Sequence, residues 1–167
     1  LVIRTPLQVL SSDMSRFTVA FPVSGPAIDL AAAGPAIQGA LGGLGQEIAI
    51  WEDGVRLAPS RAIGRLSLPS DRSFERYDRA VAHVGRPMAP GETIISNQGF
   101  FDAHFTYPIV SPNSRFAIQM TVAPGLPEEY LKLVVGYLSP EGIWPFVISS
   151  QSGRVYLNPT WYQAAGA

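Results

Sequence analysis

The C-terminal third of the chain constrains the fold most, because three strand patterns follow one another there with only tight turns between them. The strand patterns are Leu131–Leu138, Ile143–Ser149 and Arg154–Asn158, and the turns are Ser139–Gly142 and Ser150–Gly153. In the first turn, Pro and Gly stand at positions where a β-turn favours them. The sequence therefore predicts an antiparallel meander of three strands.

Closing these two turns determines which residues face each other. The first turn places Tyr137 opposite Trp144, and the second places Ile148 opposite Val155. The middle strand is apolar on both faces, which predicts that it is covered on both sides. Pro145 cannot donate to a ladder, so it predicts an edge or a bulge near the start of that strand.

A second hairpin is predicted over Gln46–Leu57, where apolar residues alternate along the first strand. The dipeptide Asp53-Gly54 is the favoured pair for a two-residue type I′ turn. This turn would place Glu52 opposite Val55.

A third hairpin is predicted between Phe101–Ile109 and Arg115–Val122, around a Ser-Pro-Asn-Ser turn. In the register that keeps both alternations in phase, Phe105 lies opposite Met120 on the apolar face. The polar residues of the two strands then share the other face.

One helix is predicted, over Asp71–Val84, with Ser70 or Asp71 as its cap and Gly85 at its end. Its apolar residues recur three or four positions apart, as on one face of a helix. These residues are Phe74, Tyr77, Val81 and Val84.

The segment Ser24–Gly45 is rich in Ala and Gly and carries a single charge, at Asp29. It is too apolar for a solvated linker, and a short helix near residues 36–41 is compatible with it. Such a segment must pack on its own sheet or on a neighbouring subunit, because soluble monomers rarely expose a large apolar patch. We predict an intermolecular contact through Leu41 and Leu44.

Together these patterns predict an all-β fold: an antiparallel β-sandwich or jelly-roll-like domain with one short helix near residues 71–84. A half-open barrel is the alternative. We expect a single domain over residues 1–167, with extended arms at residues 1–12 and 159–167.

The low share of charged residues indicates the kind of partner. Charged residues make up 15% of the chain, against about a quarter in typical domains. We therefore expect other protein subunits as partners, most simply in a homo-oligomer, although a monomer with an uncharged polar surface would have the same composition. Scattered basic residues and a net charge of −1 exclude nucleic acid and anionic membranes as expected partners.

Several other classes of site have no signature in the sequence. No apolar run approaches the roughly 20 residues needed for membrane insertion, and the chain contains no Cys for a disulfide or thiolate metal site. No motif predicts a cofactor or a metal. The composition favours an extracytoplasmic location or a virion surface.

No motif marks a catalytic site either, since H-E-x-x-H and G-x-S-x-G are both absent. Asp102 and His104 fall on the predicted polar face of the third hairpin. They are candidates for ligand binding or, with Glu52, for acid and base roles, although a solvated sheet face explains Asp102 and His104 equally well.

Aromatic and amide side chains are further candidates for ligand binding. Trp161 and Tyr162 are of the types that stack on sugars or anchor protein interfaces. Asn97 and Asn113 lie in predicted loops and would add hydrogen bonds.

Three segments, Glu52–Leu57, Gly99–Phe100 and Ser111–Phe116, resemble the E-D-G hairpin module, a β-rich module found beside bacterial glycosyltransferases and other glycan-modifying proteins. In that family an E-D-G-x-x-L hairpin precedes a G-x-[FY]-S-H-W segment and an S-D-N-S-D-P-x-x-N-G-R-x-Y run. The resemblance implies glycan surroundings for this chain.

Three functions therefore compete. The first is a non-enzymatic module for recognition or assembly, which binds a glycan or packs within a larger protein complex. The second is a structural subunit of a viral particle or another shell, and the third is a carbohydrate-active enzyme.

Overall fold

The computed structural model describes residues 1–10, 19–89, 91–121 and 132–158. In chain order the described elements are β1 (Val2–Pro6), α1 (Leu7–Leu10), β2 (Val23–Ser24), β3 (Ala27–Ile28), α2 (Gly34–Glu47), β4 (Ile48–Glu52), β5 (Val55–Arg56), β6 (Arg61–Ser67), α3 (Tyr77–Val84), β7 (Phe100–Thr106), β8 (Phe116–Met120), β9 (Leu133–Ser139), β10 (Gly142–Ile148) and β11 (Val155–Tyr156), with 3-10 turns at Leu30–Ala32 and Ser73–Glu75. Strands outweigh helices, and they form several open antiparallel sheets.

The chain contains two compact units, and the single domain expected over residues 1–167 stays a prediction. Unit 1 consists of Leu1–Gly45 and Pro59–Thr106, and unit 2 consists of Gln46–Ala58 and Tyr107–Ala167. Each unit therefore draws on two separate stretches of the chain.

Unit 1 is organised around β7, the middle strand of a sheet with the order β1-β7-β6. Phe101, Ala103 and Phe105 alternate along β7, and all three are almost fully buried. On β6, a Cβ at Gly64 would lie 2.7 Å from the Phe101 ring, so only glycine leaves room for that ring. The first strand, which lies in the segment predicted as an arm, forms an edge of this sheet.

Helix α2 is the main departure from the expected single helix. The segment predicted as a loop with a short helix forms 14 helical residues, and Pro35 in the first turn suits that position. Leu41 and Leu44 lie on its buried side, each 4% exposed. Each of its glycines lowers the helix propensity by about 1 kcal/mol, which is why the sequence pattern did not predict the full helix. Burial of this side stabilises it.

Helix α3 is shorter than predicted. The chain from residue 71 first forms the 3-10 turn, and the α-helix begins only at Tyr77. The Asp71 carboxylate accepts a hydrogen bond from the Ser73 N–H and does not cap α3. Gly85 follows the helix as predicted, and its N–H donates to the Val81 carbonyl.

Unit 2 contains a four-stranded sheet with the order β11-β8-β4-β5. The β4–β5 hairpin is confirmed: Glu52 faces Val55, and Asp53 and Gly54 both have the positive φ of a type I′ turn. The third predicted hairpin is wrong, because β7 belongs to the sheet of unit 1 and β8 pairs with β4. Alternation determines which face of the sheet a side chain occupies, but it does not determine which strand is the neighbour.

The β9–β10 hairpin has the predicted register, with Tyr137 opposite Trp144. It stands as a two-stranded sheet of its own, so the predicted three-stranded meander is wrong. The third strand, β11, pairs with β8 instead, with Val155 opposite Ile118. Pro145 lies in an edge strand, as its missing N–H predicted.

Candidate functional site

A cluster of charged and polar side chains lies beneath α3 in unit 1. Its members are Arg4 on β1, Ser67 on β6, Asp71, His83 on α3 and Asp102 on β7, and we call them the Arg4–Asp102 cluster. The sheet brings Arg4 and Asp102 together. They are paired across β1 and β7, so their side chains lie on the same face of the sheet.

Arg4 bonds to both carboxylates of this cluster. Its Nε and Nη2 donate to the two oxygens of Asp102 at 2.8 and 2.7 Å, and Nη2 also donates to Asp71 Oδ1 at 2.8 Å. The guanidinium lies 4.4 Å from the ring centre of Phe74 and 4.9 Å from that of Phe100. Asp102 is fully buried, so its charge is compensated within the protein.

Three members of the cluster have the connectivity of a serine–histidine–aspartate triad. Ser67 Oγ lies 2.8 Å from His83 Nε2, and His83 Nδ1 lies 3.4 Å from an oxygen of Asp71. However, Ser67 is 1% exposed, and its hydroxyl donates to Asp102 at 2.6 Å. A nucleophile must reach its substrate and pass its proton to the histidine, so this arrangement is a structural network.

The same cluster contains a possible set of metal ligands, since one ligand atom from each of Asp71, His83 and Asp102 lies within 4.8 Å of the others. The Arg4 guanidinium already bonds to both carboxylates. The guanidinium therefore supplies, from within the chain, part of the positive charge that a metal ion would bring.

The pKa values follow from burial and charge. Burial alone would lower the pKa of Arg4, but its hydrogen bonds to Asp102 and Asp71 raise it above the ordinary value. Burial opposes ionisation of Asp71, yet the hydroxyl of Ser73 and the guanidinium of Arg4 hold its pKa far below the usual range. Burial and the nearby Arg65 lower the pKa of His83.

The predicted pair of Asp102 and His104 does not form a solvated polar site. Asp102 is fully buried in the cluster, and His104, two positions along the same face of β7, is half-buried. Burial, with Arg61 among further causes, lowers the pKa of His104. Strand β7 pairs with β1 and β6, whereas the sequence predicted that it pairs with β8.

The structure describes two of the other predicted ligand-binding residues. Asn97 is exposed in a turn of unit 1, and Asn113 is exposed in a turn of unit 2. Trp161 and Tyr162 lie outside the described residues. Leu41 and Leu44, predicted as interface residues, are buried within this chain, which gives a different reason for the low charge of their segment.

Glu52 is a structural anchor in unit 2. Its carboxylate accepts hydrogen bonds from the backbone N–H groups of Val110 and Ser111 at 2.9 to 3.1 Å. These bonds lower the pKa of Glu52. The bond from Val110 has the largest effect, and the Ser114 hydroxyl also contributes. A carboxylate held ionised and 4% exposed suits neither a general acid nor an accessible base.

One face of the four-stranded sheet combines arginines with aromatic rings. Tyr156 faces Ala117 and Ala117 faces Trp51, so both rings lie on the same side of the sheet. The guanidinium of Arg154 lies 3.6 Å from the Trp51 ring centre, and that of Arg115 lies 4.9 Å from that of Tyr156. Sequence reasoning missed this face because it depends on the pairing of β8 with both β4 and β11.

The outer face of the β9–β10 hairpin is apolar and exposed. Val134 and Val147 face each other, as do Leu138 and Ile143, and these four side chains are 76%, 61%, 52% and 68% exposed, respectively. Gly136 and Pro145 complete this face and are exposed too. We call it the hairpin face; its exposure contradicts the predicted cover on both sides of the middle strand.

Comparison with family models, with curated proteins and with solved structures gives no match for this chain. Among the described helices, none has both the length and the apolar character needed to cross a membrane.

Proposed function

We propose that this protein is a non-enzymatic assembly subunit whose copies associate through the hairpin face. The observation that carries this proposal is the exposure of four aliphatic side chains on one face of a hairpin whose two strands contain no charged residue. Four side chains so exposed amount to roughly 400 Å², the size of the largest apolar patch on a typical monomer, and such patches often mark interaction sites.

The acidic candidates support a non-enzymatic role. Asp102 and Glu52 are buried and hydrogen-bonded, while catalysis needs a group within reach of its substrate. A shell or virion subunit is one form of the proposed assembly. The β-sandwich or jelly-roll arrangement and the extracytoplasmic location remain predictions that agree with it.

Sedimentation velocity of matched variants tests this proposal. We expect the parent chain to associate and Val147→Asp to lower its mass, because burying an unpaired carboxylate costs several kcal/mol. Val55→Asp is the control, because Val55 is 66% exposed on β5, which belongs to a different sheet from the hairpin face. A parent that stays monomeric at every accessible concentration would contradict the proposal, as would equal effects of the two substitutions.

A second candidate function is recognition of an anionic glycan by the arginine and aromatic face of unit 2. Its support is that Arg115 and Arg154 are exposed, are held against aromatic rings and form no salt bridge within the described residues. Guanidinium groups fixed in this way are suited to bind carboxylates. The glycan surroundings implied by the E-D-G resemblance remain a prediction consistent with this candidate.

Calorimetric titration with polygalacturonate, using neutral dextran as the control glycan, tests this second candidate. We expect binding of the acidic polymer only, and its loss when Arg115 and Arg154 are both replaced by Gln. Arg72→Gln is the control variant, because Arg72 is an exposed arginine of unit 1. Equal binding by all variants would remove the candidate.

A further inference from the structure

The two outer edges of the β9–β10 hairpin differ in what they offer to another strand. The loop between the strands has two residues, so the pair that flanks it is hydrogen-bonded, as is every second pair along the ladder. Gly136 and Pro145 form one of the intervening pairs, whose backbone groups point outward. Because Pro145 has no N–H, the β10 edge lacks its central donor. The β9 edge keeps the N–H and C=O groups of all three outward residues: Val134, Gly136 and Leu138.

This β9 edge is open as far as the described residues show. In the described part of the chain no strand pairs with it, and its three outward residues are exposed. An exposed apolar strand edge is a template for another strand, and proteins that leave one uncovered commonly protect it with charge or proline. In this hairpin only β10 carries such a residue, Pro145.

We propose that a second copy of this chain occupies the β9 edge, through antiparallel pairing of β9 with β9 across a twofold axis at Gly136. This inference rests on the proposed assembly function and names its partner and geometry. Gly136 is the middle residue of β9, so the pairing is self-complementary and places Val134 opposite Leu138 of the second copy. Three such pairs with two bonds each give about six main-chain hydrogen bonds.

The charges beside the hairpin strands favour this orientation. Lys132 precedes β9 and Glu141 lies in the turn after it; both are exposed, and neither forms a salt bridge within the described residues. With Gly136 on the axis, Lys132 faces Pro140 of the second copy, next to Glu141. Antiparallel pairing thus brings opposite charges together at both ends of the ladder, while parallel pairing would bring like charges together.

The area of the hairpin face adds a reason for pairing. One hairpin face offers roughly 400 Å², and one side of a standard protein interface buries about 800 Å². Two hairpins joined at β9 would form one four-stranded sheet with a continuous apolar face of about that size. Self-pairing therefore completes a platform large enough for the next contact of the assembly.

Cysteine cross-linking tests the axis directly, because the chain contains no Cys. Facing residues in a hydrogen-bonded pair have Cα atoms about 5.5 Å apart, within disulfide range, so we expect Gly136→Cys to give a covalent dimer under mild oxidation. Pro145→Cys is the control: its copies would lie three strand spacings apart, about 14 Å, too far for a disulfide.

Charge reversal tests the same pairing without touching the sheet. Lys132→Glu should weaken the dimer about three- to tenfold in Kd, the scale of two surface ion pairs, and adding Glu141→Lys should restore it. Both positions are exposed, so neither change should prevent folding, which circular dichroism would check.

The outcomes separate this inference from the proposed function. A parent that never associates removes both. If the parent associates and Val147→Asp disrupts it, but Gly136→Cys links no better than Pro145→Cys, assembly stands and pairing through β9 is wrong. An unchanged Kd in Lys132→Glu, or no rescue by the double reversal, would likewise overturn the antiparallel arrangement.

Discussion

Replacing Arg4 by Met should destabilise unit 1 strongly, because it removes the positive charge from a buried cluster. Arg4 supplies two of the hydrogen bonds to the fully buried Asp102 carboxylate, at 2.8 and 2.7 Å. It also donates from Nη1 to the Asp71 carbonyl and from Nη2 to its carboxylate, both at 2.8 Å. Methionine keeps much of the aliphatic stem, so the loss is mainly one of charge and hydrogen bonding.

The expected cost is about 3–5 kcal/mol, the range for removing one partner of a buried ion pair. After the substitution Asp102 keeps the Ser67 hydroxyl as a donor, while Asp71 keeps the hydroxyl and N–H of Ser73. The fully buried carboxylate therefore bears most of the cost. Replacing Asp102 by Leu in the same chain should recover part of it, with a coupling energy of about 1–3 kcal/mol.

Urea denaturation followed by circular dichroism measures these changes as shifts of the midpoint. Arg72→Met is the matched control: it breaks an ion pair with Glu75 whose side chains are 82% and 57% exposed, and such pairs contribute about 0–1 kcal/mol. If Arg4→Met destabilises the protein no more than this control, or if Arg4 and Asp102 show no coupling, the cluster does not stabilise the fold as argued.

Three further predictions follow from packing and protonation. Gly99→Ala should destabilise the protein in thermal melts by about 1–3 kcal/mol, because its Cβ would lie 2.5 Å from the nearest side-chain atom. Gly39→Ala on helix α2 should stabilise the protein by about 0.5–1 kcal/mol, because its Cβ would meet nothing within 4 Å. A Gly99→Ala variant more stable than Gly39→Ala would contradict this packing. Trp144 is 37% exposed, so Trp144→Ala should cost less than the about 3–5 kcal/mol of a fully buried ring, as equilibrium unfolding would show. Folding lowers the pKa of His83 below its ordinary 6.5, so its contribution to stability should be complete above that pH and lost as the pH falls through the lowered value. His83→Gln should flatten this part of the stability profile, and an unchanged slope would refute the assignment.

The sequence determined the features that depend on neighbouring residues. Asp53-Gly54 closed the β4–β5 hairpin with Glu52 opposite Val55, and the turn after β9 gave the register of Tyr137 with Trp144. Both were predictable because a two-residue turn has few conformations and sets the register of its own strands. The strand-rich antiparallel class followed from the same signals.

Tertiary structure decided which strands pair and what lies buried. The alternation in β7 and β8 was read correctly as two strands, but their partners lie in different sheets. Asp102 was expected in solvent and is fully buried, because Arg4 reaches it from a strand almost a hundred residues away. Helix α2 forms despite its glycines, since burial of Leu41 and Leu44 outweighs propensity.

The candidate interaction surface shows the same division. The sequence identified the apolar residues of β9 and β10 and their register, because these depend on alternation and on one turn. Whether another layer covers the second apolar face is a property of the whole chain, and here that face is exposed at Val134 and Val147. Local patterns determine which residues share a face, but only packing between distant segments determines which faces lose their contact with water.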